Sequence, residues 1–122
     1  MESTTPAGRG VAGFVADLRA QGCDPVCEGD VITYKIRALT GMHAGEVVDT
    51  AVNATEVNRW PTTPAHWIHF PEHVTFAKTN SDTNGCAPGW QRHSRNPGPW
   101  RLDREPIAVW LAHVRGVIGE AI

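Results

Sequence analysis

Residues 59–76 read RWPTTPAHWIHFPEHVTF, residues 83–100 read TNGCAPGWQRHSRNPGPW, and residues 104–120 read REPIAVWLAHVRGVIGE. These three runs hold all five tryptophans, five of the six histidines, and the one cysteine outside the N-terminal third, Cys86. No clean alternation and no helical period runs through the first two. Aromatic, imidazole and thiol groups set in irregular, proline-rich backbone point to a site on an ordered loop. The third run is different. Ile107, Trp110, Leu111, Val114, Val117 and Ile118 recur at i, i+3, i+4 and i+7, which predicts a helix with one apolar stripe. Asp103 is its expected N-cap, and Pro106 falls in the first turn, where a missing N–H does no harm.

Working outward, Val11, Phe14, Val15 and Leu18 share a helical face, so a helix is expected over residues 11–21, closed by Gly22. Residues 23–30, CDPVCEGD, read as a turn. Residues 31–38, VITYKIRA, alternate in part, with Ile32, Tyr34 and Ile36 on the expected core face. Residues 40–45 form a hairpin-like loop, residues 46–54 a second strand, and HWIHF a short third one. From residue 71 to residue 99 no regular period is found. Such a long loop in a compact domain is functional or disordered, and the tryptophans argue against disorder. The expectation is an α+β fold: an N-terminal helix, an antiparallel β-meander, a long ordered active-site loop and a C-terminal helix. Residues 1–10 read as a flexible lead and residues 11–122 as a single domain.

The chain has 122 residues, 41% hydrophobic and 20% charged, with net charge −2. That is one domain with a sizeable core, and there is no basic footprint for nucleic acid. No apolar run reaches ~18 residues, so no membrane span is expected. No secretory signal is read at the N-terminus, so a cytoplasmic location with free thiols is expected.

The order of elements and motifs resembles the ubiquitin-conjugating (UBC) fold. RWPTTPAHWIHF stands where that family has a proline-aromatic turn. Asn84-Gly85-Cys86 stands where it has Asn-Gly ahead of its catalytic cysteine. NPGPW and the final helix stand near the family's tryptophan-proline pair and the helix after its cysteine loop. The likeness is closer to compact bacterial UBC-like proteins found beside ubiquitin-like modifiers, which carry a signature similar to GWQRHSR. It is tight from residue 60 to residue 118 and rests on element order alone before that. It departs at the family's His-Pro-Asn, where this chain reads Phe76-Ala77-Lys78, leaving Asn80 or Asn84 as candidates for the missing asparagine.

The resemblance implies a carrier that accepts a ubiquitin-like protein from an activating enzyme as a Cys86 thioester and passes it to a nucleophile on a target protein. No cofactor is implied, and the relatives imply an antiphage or stress-related pathway. A thiol suits this chemistry because it is both a strong nucleophile and a good leaving group. The alternative is an ordinary loop cysteine. His93 is a candidate base, since histidine titrates near neutrality, or a loop-capping group. Arg92 and Arg95 are candidates for orienting the modifier's tail, and Trp90 for anchoring a partner. The other tryptophans read as packing.

His66, His69 and His73, with Cys86 or His93, superficially resemble a zinc set. In a strand, however, positions three apart face opposite ways. Cys23 and Cys27 have neither redox nor zinc-knuckle spacing. The competing functions are a UBC-like binding module without chemistry and, further off, a zinc hydrolase.

Overall fold

The computed structural model describes residues 9–77, 80–100 and 103–122. The expected lead lies largely outside them, as does Lys78 of the Phe76-Ala77-Lys78 stretch. Gly10 belongs to the fold. It opens helix α1 (Gly10–Ala20), and its N–H donates to the Trp60 carbonyl at 2.8 Å. Phe14 and Leu18 are fully buried on the predicted face, and Val11 and Val15 pack at its margin. The helix ends where Gly22 takes φ +75°. Gly22 N–H then bonds the Arg19 carbonyl and Cys23 N–H the Leu18 carbonyl, each at 3.0 Å. This paired closure satisfies carbonyls that the helix end would otherwise leave bare.

Among the described residues, six strands form one antiparallel sheet in the order β1-β2-β3-β4-β6-β5. They are β1 (Val26–Glu28), β2 (Val31–Arg37), β3 (Val47–Asn53), β4 (Trp67–Pro71), β5 (Ser81–Asp82) and β6 (Trp90–Ser94). A 3₁₀ turn, Ala54–Val57, leads out of β3. Helix α2 (Pro106–Ile118) closes the chain. The architecture is α+β, with both helices contributing to one core against the sheet.

Two expectations need correction. Residues 71–99 are not one long loop: they contain β5 and β6, and β6 pairs along its whole length with β4. Its residues, Trp-Gln-Arg-His-Ser, alternate in direction but not in hydrophobicity, so the sequence showed no strand. Likewise β1 lies inside the expected turn at residues 23–30. All three of its residues are exposed, and an edge strand with no buried face leaves no apolar signature.

Helix α2 buries all six residues of the predicted stripe. Its N-cap is Glu105, not Asp103, with Pro106 at the first helical position. On the sheet, Ile32, Tyr34 and Ile36 face the helices and are at most 2% exposed. Tyr34 also anchors a buried polar chain. Trp110 Nε1–H donates to the Tyr34 hydroxyl at 3.0 Å. Tyr34 hydrogen-bonds Thr50, its register partner on β3. Thr50 Oγ1 donates to the His69 carbonyl at 2.9 Å. One line of bonds thus ties α2 to three adjacent strands. Burial raises the tyrosine's pKa strongly, as expected for a phenol held neutral in a dry core.

Candidate functional site around Cys86

Cys86 lies in the connection from β5 to β6, and local chemistry shapes that connection. The Asp82 carboxylate accepts the Asn84 N–H at 2.8 Å, an Asx turn that starts the loop. Cys86 N–H donates to the Thr83 carbonyl at 3.2 Å, and Trp90 N–H to the Ala87 carbonyl at 3.1 Å. Gly85 takes φ +70°. A Cβ there would sit 3.1 Å from the Asn53 side chain, so the loop passes close over the end of β3. Glu72 N–H closes it from the far side on the Gly89 carbonyl at 2.9 Å.

Strand alternation decides which side chains can meet this loop. The register aligns Asp82 with Arg92 on β6, Arg92 with His69 on β4, and His69 with Ala51 on β3. These residues share the face turned away from the helices. Arg92 Nε donates to Asp82 at 2.6 Å and Nη2 at 3.2 Å, a two-pronged pair. The guanidinium also lies 3.9 Å from the Trp67 ring centre. Arg92 is therefore a bracket for the Cys86 loop, held by a carboxylate in front and an indole behind. Trp67 and Asp82 were not singled out in the sequence, because only the register brings them to Arg92.

The predicted site residues divide between two faces. Cys86 and Asn84 lie in the loop, with Arg92 and Trp90 on the same side of β6; Cys86 is half-buried and the Asn84 side chain exposed. Trp90 lines a recess with Asp24, Thr33 and Asp49. His93 points the other way, into the core. It is 1% exposed, with its ring 4.8 Å from Phe76 and 6.1 Å from Phe70. Arg95 lies over Phe76 at 5.0 Å. The structure does not bring His93 or Arg95 to the Cys86 side.

His69 is the histidine on the Cys86 face. It is 1% exposed, and neither ring nitrogen has a hydrogen-bond partner among the described residues. Burial, with the positive charge of Arg92 adding to it, pushes its pKa down to about 4, so it is neutral at physiological pH. His66 is exposed, bonds Ser94 and stands edge-on to Trp67. Among the described residues, no three His, Cys, Asp or Glu side chains gather in a metal-binding group.

Burial pushes the Cys86 thiol above its ordinary range; Arg92 pulls it down and Asp82 opposes Arg92. The guanidinium is thus the group that favours thiolate here. Arg92→Gln is expected to move the midpoint of Cys86 alkylation by iodoacetamide to higher pH. Near neutrality the alkylation should slow roughly two- to fivefold. Peptide-resolved mass spectrometry separates Cys86 from the exposed Cys27. A faster reaction with an unmoved midpoint would mean that Arg92 acts only by closing the loop.

No helix among the described residues is long and apolar enough to cross a membrane. No family model, curated protein or solved structure matches the chain.

Proposed function

We propose that the protein is a UBC-like carrier, cytoplasmic in setting, with Cys86 as the acceptor of a ubiquitin-like protein. The supporting observation is the bracketed loop: a half-buried cysteine in a tight turn beside an arginine fixed by Asp82 and Trp67. In this reading the Cys86 thiolate attacks the thioester carbonyl that joins the modifier to its activating enzyme, and the enzyme's thiolate leaves. An amine of the target protein then attacks the new thioester, Cys86 leaves as thiolate, and the amine's proton passes to solvent. Arg92 favours the thiolate in both steps. Asn84, exposed beside the cysteine, is the candidate to steady the tetrahedral oxyanion. His93 has no part in it, because its ring lies in the core.

Incubating the protein with modifier, activating enzyme and ATP should give an adduct that thiol reductants release. Cys86→Ala should abolish it, while Cys23→Ala and Cys27→Ala should keep it. An adduct that survives Cys86→Ala removes the assignment.

The second reading is a UBC-like module that binds a modifier or activating enzyme without chemistry. It is favoured by the burial that raises the Cys86 thiol and by Phe76-Ala77-Lys78 in place of His-Pro-Asn. Saturable partner binding with no covalent adduct in the same experiment would establish it.

A further inference from the structure

A groove of about 640 Å³ opens beside the Lys35–Arg37 end of β2, between the end of α1 and helix α2. Three arginines from three different elements line it: Arg19 from the last turn of α1, Arg37 from the end of β2, and Arg115 from α2. Asp24 is the one acid among the described residues that line it. Lys35 also reaches it, but its ammonium is already bonded to Asp49 at 2.7 Å. The chain as a whole carries net charge −2, so this concentration of positive charge runs against the molecule's overall balance. A concave wall focuses such a field onto small anions.

Two details make the groove more than a solvated basic surface. Arg37 Nη1 donates to the Gly45 carbonyl at 2.7 Å, which fixes the guanidinium while its other donors take no partner among the described residues. Arg115 Nε is buried and has no hydrogen-bond partner among the described residues. Arg115 as a whole is half-buried and lines the groove, so an anion there would pair with its guanidinium through the terminal nitrogens. The volume falls within the range of small-molecule sites. Among the described residues no aromatic ring lines the groove, so none of them is placed to stack on a base. Guanidinium forks match phosphate oxygens in pairs.

We propose that this groove binds the phosphate groups of a small phosphorylated molecule. It lies at the Val47 end of β3, whereas the Cys86 loop passes over the Asn53 end. Asp24 and Lys35 also line the recess that holds Trp90, but no residue of the Cys86 loop is among the described residues that line the groove. The groove therefore stands independently of the Cys86 reading.

Inorganic pyrophosphate is the probe. Calorimetric titration of the whole chain at about 0.15 M salt should show saturable one-to-one binding. Arg37→Gln and Arg115→Gln should each weaken it roughly tenfold. Arg104→Gln, at an exposed position outside the groove, and Cys86→Ala should leave it unchanged. Arg37→Gln alters an exposed side chain, so the test holds even if Arg115→Gln fails to fold. Absence of saturable binding would overturn the proposal, as would equal affinity in Arg37→Gln and the parent. Citrate binding as tightly as pyrophosphate would overturn the phosphate assignment.

Discussion

Trp110→Ala is expected to lower the unfolding free energy by about 3–5 kcal/mol, enough to leave a domain of ordinary stability largely unfolded. Trp110 is 0% exposed and meets Phe14 edge-on at 6.4 Å. Removing the indole opens a cavity where α2 crosses the sheet. It also strips the donor from the Tyr34 hydroxyl, which sits at the head of the bonded line through Thr50 to the His69 carbonyl. Trp110→Phe keeps much of the volume and loses the N–H, so it should cost only about 1–3 kcal/mol. Urea unfolding of the two variants separates cavity from hydrogen bond. Equal losses would mean that the Tyr34 contact carries the whole effect.

Acid should destabilise the protein through His69. Its folded pKa is about 4 against an ordinary 6.5. Between those values the unfolded chain binds a proton that the native state refuses, so unfolding gains as pH falls. The stabilisation is complete above about pH 6.5 and is lost on the way down to about pH 4, on the order of 3 kcal/mol in all. His93 and His113 are also depressed, chiefly by burial, and push in the same direction. His69→Phe removes a titrating ring whose nitrogens have no partners among the described residues. Its melting temperature should therefore fall less steeply than the parent's between about pH 7 and about pH 4.5. Identical slopes would show that His69 is not the group responsible.

What was legible in advance tracks the strength of the local signal. Helix α2 is a single apolar stripe with a proline in its first turn, and every stripe residue is buried. The face of β2 was readable because Ile32, Tyr34 and Ile36 alternate with polar neighbours. The end of α1 was readable because a glycine, Gly22, stands where the chain needs a positive φ. Strand β6 was not, because both of its faces are covered by polar or aromatic groups whose partners come from elsewhere. His93 looked like a base from its neighbours in sequence. Its position beside Arg92 in a strand is the reason it faces the opposite way.

The amino-acid order alone dictated the two helices, three of the strands and a cysteine set in irregular backbone, because each depends on periodicities or glycines within a dozen residues. The pairing of β6 with β4 and β5 decided the rest. That register puts Asp82, Arg92 and His69 in one row and sends His93 to the core. It also brings the Cys86 loop over the end of β3. Contacts of this kind join residues whose only relation is across the sheet, and no local pattern encodes them.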